Sequence, residues 1–129
     1  MRCAVIDTNV LMYSYLEKVD VFSQLKEMGF KKFYVPSKVV EELERLKISL
    51  TGKERLASKF ALSLIEKYCE VIDIEAEGTD MALIELAKSK GCVLITNDKK
   101  LKRIAKERGI NVGYLRELKR IEIEDFYEE

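Results

Sequence analysis

Gly91-Cys92-Val93-Leu94-Ile95-Thr96-Asn97-Asp98 is the stretch on which the fold turns. Residues 92–96 carry no charged side chain, and they do not alternate polar with apolar as a strand with one wet face would. A short continuous run of this kind, between a glycine and a polar pair, predicts a strand covered on both faces. That is the condition of a parallel sheet packed between helices. The flanks agree. Upstream, residues 80–90 carry Leu83, Ile84 and Ala87 at helical spacing and stop at Gly91; downstream, a basic helix follows Asp98 and stops at Gly109.

The same alternation runs through the rest of the chain. Cys3-Ala4-Val5-Ile6 is an apolar strand closed by Asp7, with Thr8 and Asn9 able to cap a helix over residues 10–17. A second helix covers about 21–28 and ends at Gly29. Phe33-Tyr34-Val35 is a strand stopped by Pro36. A helix with Val39, Leu43, Leu46 and Leu50 on one stripe follows it, and after Thr51-Gly52 comes a long helix through Leu56, Phe60, Leu64 and Ile65. Residues 71–74 and 112–115 are further strands, and 121–123 add a short extended piece. This pattern predicts the α/β class: a three-layer α/β/α sandwich around a mainly parallel sheet of about five strands, as one domain over residues 1–129.

Composition narrows the function. There is no histidine, which removes the commonest general base and the commonest zinc ligand. Cys3, Cys69 and Cys92 are widely spaced and form no CxxC pair, so they read as small apolar residues rather than redox or zinc centres. No apolar run approaches the ~20 residues that cross a bilayer, and Met1-Arg2 leads straight into a strand rather than a signal peptide; a cytoplasmic protein with no membrane partner is expected. Net charge is zero, yet residues 88–120 hold eleven Lys/Arg against three acids. Within that stretch Lys99, Lys100, Lys102, Arg103 and Arg116 are candidate phosphate contacts, the plainer reading being solvated helix surfaces.

In parallel sheets ligands bind beyond the carboxyl ends of the strands, and Asp7 and Asp98 close two of them. Helical geometry singles out two more acids. Glu42 lies roughly 80° from the centre of the Val39–Leu50 stripe, closer than Glu41 or Glu44. Asp80 shares the face of Leu83, Ile84 and Ala87. An unpaired carboxylate at the edge of a core is costly, and no buried base is evident for each of the four; a divalent cation would serve them together. Oxygen-only ligands suit Mg²⁺ or Mn²⁺, one ion or two, which activates water and offsets charge on a phosphodiester. Thr8, Asn9, Thr96 and Asn97 are short polar neighbours suited to orienting such ligands. Each acid also has a plain reading: Asp7 and Asp98 as helix caps, Asp80 as a first-turn acid, Glu42 as an exposed glutamate.

These residues together resemble a known family. Val5-Ile6-Asp7-Thr8-Asn9-Val10-Leu11, Pro36-Ser37-Lys38-Val39-Val40-Glu41-Glu42-Leu43, Thr79-Asp80 at a helix start, and Ile95-Thr96-Asn97-Asp98-Lys99-Lys100-Leu101 are similar, in order, to the motifs of PIN-domain proteins. The resemblance spans nearly the whole chain. It implies an endoribonuclease acting on single-stranded or structured RNA, with Asp7, Glu42, Asp80 and Asp98 holding Mg²⁺ or Mn²⁺. Two branches of the family compete. The toxins of toxin–antitoxin pairs are silenced by a small antitoxin partner; the nucleases of ribosomal RNA maturation work with ribosome-assembly partners. Gly113-Tyr114-Leu115-Arg116-Glu117-Leu118-Lys119-Arg120 leans the reading toward rRNA processing. The resemblance also implies a homodimer as one assembly. The rivals are weaker: a haloacid-dehalogenase pattern wants a second Asp where Asn9 stands, and a receiver domain wants an acidic pair where only Asp7 is found. A non-catalytic RNA-binding module on the same fold is the remaining alternative.

Overall fold

Strand β1, Arg2–Ile6, occupies the middle of the sheet, and everything that positions the acids is built around it. The computed structural model describes residues 2–124. After β1 come helices α1 (Thr8–Leu16) and α2 (Val21–Glu27), strand β2 (Phe30–Pro36), helices α3 (Ser37–Ser49) and α4 (Gly52–Tyr68), and strand β3 (Glu70–Ile72). Helix α5 (Thr79–Lys90), strand β4 (Val93–Ile95), helix α6 (Lys99–Glu107) and strands β5 (Val112–Arg116) and β6 (Arg120–Glu124) complete the described residues.

The strand order is β3-β2-β1-β4-β5-β6, parallel throughout except where β6 returns antiparallel to β5. Parallel crossovers are right-handed. The connections moving out from β1 to β3 therefore put α1–α4 on one face, and those moving back to β5 put α5 and α6 on the other. Helix α5 packs on β1, β2 and β4, and α2 packs on β2 and β6. This is the expected three-layer α/β/α sandwich. The sheet has six strands rather than about five, because the extended piece near residue 121 closes a hairpin with β5.

The central strands are buried on both faces, as their unbroken apolar runs require: Ala4, Val5, Ile6, Leu94 and Ile95 have no exposed surface. Outside them, Phe22 links α2 to the sheet and to α4. Its ring meets Phe33 edge-on at 5.1 Å and stacks on Tyr68 at 4.7 Å. Two amides clip the terminal hairpin. Gln24 donates to Lys119 O and accepts from Ile121 N, and Asn97 exchanges both of its bonds with the backbone of Leu115. No helix of the described residues is long and apolar enough to cross a membrane.

One expectation fails. Cys3 and Cys92 are not independent apolar residues but a disulfide, with Cα atoms 4.8 Å apart. The parallel pairing of β1 with β4 brings residue 4 opposite residue 93, so the preceding positions fall side by side although 89 residues separate them. Nothing local in the sequence carries that register. Cys69 is free, and burial pushes its thiol up to about 12.

Candidate active site

Asp7 is the first residue beyond β1, and its position is set from both sides. Its N–H donates to Ile95 O of β4, continuing the ladder, and its side chain turns back to cap α1, Oδ1 accepting from Thr8 N at 2.7 Å. The other oxygen, Oδ2, accepts from Thr96 Oγ1 at 2.6 Å. Thr96, itself fully buried beyond β4, also accepts from Asp98 N at 3.0 Å, and Asp98 Oδ1 caps α6 through Leu101 N. On the other side, Thr8 Oγ1 donates to Glu42 Oε1 at 2.8 Å. Two threonines thus join three acids into one chain of bonds: Asp98, Thr96, Asp7, Thr8, Glu42.

Asp80 enters this cluster through charge rather than bonds. Its carboxyl is raised above the usual range, first by loss of solvent around it and then by Asp98 and Glu42, with Lys100 opposing. Asp7 is raised to about 6, first by burial, against the hydrogen bonds from Thr96 and Thr8, and further by Asp80 and Glu42. Each of the four acids therefore feels at least one of the others. Asp80 departs from the sequence reading in one respect. Leu83, Ile84 and Ala87 are buried, but Asp80 is exposed, because the first turn of α5 projects past the strand ends where no core remains to cover it.

Asp7 and Asp98 do act as caps, each through Oδ1, while Oδ2 of Asp7 accepts from Thr96. Glu41 is exposed, whereas Glu42 is the acid bonded to Thr8. Asn97 commits its amide to Leu115 and so braces β5 rather than a carboxylate, and Asn9 is exposed. Of the basic candidates, Lys99, Lys100 and Arg103 are exposed on α6. Lys102 and Arg116 are not free: Lys102 pairs with Glu124 and lies over the Tyr114 ring, and Arg116 pairs with Glu122. A fifth acid sits on the same edge. Asp73 follows β3 and accepts from Ser37 Oγ at 2.9 Å. Reading 71–74 as strand hid it, although the rule that found Asp7 and Asp98, an acid just past a strand end, applies to it equally.

The donor set tests well for a hard divalent cation in its chemistry: all carboxylate, mutually repelling, and carrying one acid at about 6 that a cation would ionise. No three acids among the described residues close on a common point. Magnesium-type sites need no such closure, because the ion keeps several waters and takes one or two carboxylates directly.

Comparison with known proteins gives the family. The family model described as a PIN like domain matches residues 4–118. Ribonuclease VapC9 of Archaeoglobus fulgidus is 58% identical over 124 residues, covering 96% of this chain and 90% of the relative. Ribonuclease VapC4 of Methanocaldococcus jannaschii is 38% identical, covering 91% and 92%. Among solved structures, the PIN domain endonuclease Utp24 superposes with a TM-score of 0.74 at 23% identity, covering 95% of this chain and 90% of that one. VapBC2 from Rickettsia felis, bound to a promoter DNA fragment, superposes at 0.63 and 18% identity, covering 87% and 98%. At these identities the two structures speak for the fold.

Proposed function

Because the chain belongs to the PIN-like domain family, we propose that it is a divalent-metal-dependent endoribonuclease with Asp7, Glu42, Asp80 and Asp98 at its centre. The observation that carries this reading is the bonded series of Asp98, Thr96, Asp7, Thr8 and Glu42 at the carboxyl edge of the sheet. Asp7, Glu42, Asp80 and Asp98 would hold a Mg²⁺ or Mn²⁺ ion, which would supply an acidified water and offset charge on a phosphodiester. The chain's own part is positioning. Thr96 and Thr8 fix the rotamers of Asp7 and Glu42, the buried strands below them exclude movement, and Lys100 beside Asp80 offers a cation to the entering phosphate.

Of the two branches that the sequence leaves open, rRNA processing finds no support in these relatives. Both are named VapC ribonucleases, which favours the toxin ribonuclease of a toxin–antitoxin pair. We take the chain as one domain acting in the cytoplasm on single-stranded or structured RNA, held in check by a small antitoxin. Exposed Ile48, Leu56 and Phe60 near the α3–α4 turn offer apolar surface to such a partner or to a second copy.

Incubation of labelled RNA with the protein and Mn²⁺, Mg²⁺ or EDTA tests the reading. Cutting in metal, absent in EDTA, and reduced about a thousandfold in both Asp7→Asn and Asp98→Asn is the expected result. Cutting that persists in both variants removes the carboxylate centre. Metal binding without cutting of any RNA leaves the non-catalytic RNA-binding module.

A further inference from the structure

The basic side chains of the C-terminal third divide by what they rest on. Lys102, Lys106 and Arg116 face carboxylates, Glu124 for the first two and Glu122 for the third, so their charge is cancelled locally. Beside the C-termini of α5 and α6, Lys88 and Lys90 have neutral partners. Lys88 Nζ donates to the backbone carbonyl of Arg108 at 3.1 Å, and Lys90 Nζ lies over the Tyr34 ring, 4.9 Å from its centre. A carbonyl or a ring face holds an ammonium in place and leaves its full charge outward. Lys32 belongs to the same edge: it is the ladder partner of Cys3, which is bonded to Cys92 immediately after the α5 terminus. Lys32, Lys88, Lys90 and Arg108 are all exposed, and none has a carboxylate within ion-pair distance among the described residues.

This edge is joined to the acid cluster by one element. Helix α6 begins at Asp98 and ends beside Arg108, nine residues or about 14 Å on. Exposed Lys99 and Arg103 stand one turn apart on its flank. Glu107 is the acid on that flank, and Glu85 is the acid beside Lys88 and Arg108. We propose that this line is the path of the RNA backbone away from the cut, from Asp98 along Lys99 and Arg103 to a far anchor of Arg108, Lys90 and Lys32. The proposal rests on the nuclease reading for its starting point. A polyanionic strand fits better than a flat acidic surface, because the uncancelled charges form a line that turns an edge instead of a single plane.

The test uses the full chain in EDTA with single-stranded RNA of about twenty and about five nucleotides. Replacing Lys32, Lys90 and Arg108 together by Ala should weaken the long strand about tenfold at fixed salt. It should also lower the slope of log affinity against log salt by about 2, each phosphate contact on a single strand contributing about 0.7. Cleavage of the short strand in Mn²⁺ should stay unchanged. Glu107→Gln, a gain that no unfolding can mimic, should tighten the long strand. Unchanged affinity and slope in the triple variant, with weaker or equal binding by Glu107→Gln, overturns the path. RNA bound with the expected slopes but never cut keeps the path and fails the nuclease reading; no binding of the long strand at low salt overturns both.

Discussion

Asp7 is held where an ionised carboxylate is least at ease, buried at the head of the sheet with two further acids raising its affinity for a proton. The folded group sits at about 6, against 3.8 for the ordinary side chain. Between those two values the unfolded chain has already released the proton that the folded chain retains. Metal-free stability therefore falls as pH rises through that window and stays lower above it, by roughly 3 kcal/mol. Asp7→Asn removes this cost while keeping an acceptor for Thr8 N. In EDTA at pH 7.5 the variant should be more stable than wild type by about 2 kcal/mol in urea unfolding, with the gap closing by pH 4. A variant less stable than wild type at both pH values would contradict the assigned burial cost. Burial first, and the neighbouring acids after it, make this carboxylate a cost to the metal-free fold.

The elements that hold the cluster are short, and their packing leaves little room. Gly113 in β5 lies between β4 and β6: a methyl group there would stand 2.6 Å from Ile123 Cδ1 and 2.9 Å from Ile95 Cδ1. Gly113 O also accepts from Thr96 N, one residue beyond Ile95. Both isoleucine tips can yield, but the Glu122 carbonyl at 3.0 Å is backbone, so Gly113→Ala should cost about 2–3 kcal/mol in thermal unfolding. It should also lower metal affinity through Thr96, read by calorimetry; an unchanged affinity would show that β4 does not transmit the strain. Such fits explain what the sequence could and could not reveal. Continuous apolar runs and glycine stops located β1, β4 and the helices between them, because burial and capping act locally. Asp7 and Asp98 were legible as strand-end acids. The bonds of Thr8 to Glu42 and of Thr96 to Asp7 were legible only as short polar neighbours, since they join residues 34 and 89 positions apart. The exposure of Asp80 and the pairing of Lys102 with Glu124 depend on where elements end and meet, which periodicity does not encode.

Across the molecule, the Cys3–Cys92 bond ties the first strand to the fourth at the edge opposite the acids. Closing a loop of this length restricts the unfolded chain by about 4.6 kcal/mol. A Cys3→Ser/Cys92→Ser variant, or wild type under reductant, should melt lower by on the order of 10 °C, while cleavage at moderate temperature persists. Identical melting in oxidised and reduced protein would dismiss the staple. Cys69, its thiol pushed up to about 12, holds almost no thiolate with which to attack that bond. The placing of β1 between β2 and β4 has a further consequence, in the order of synthesis. Asp7 leaves the ribosome early, but Thr96, which orients it, is made 89 residues later. At about 5–20 residues per second that interval lasts roughly 4–18 s. Throughout it the growing chain carries one acid of the proposed centre without its brace.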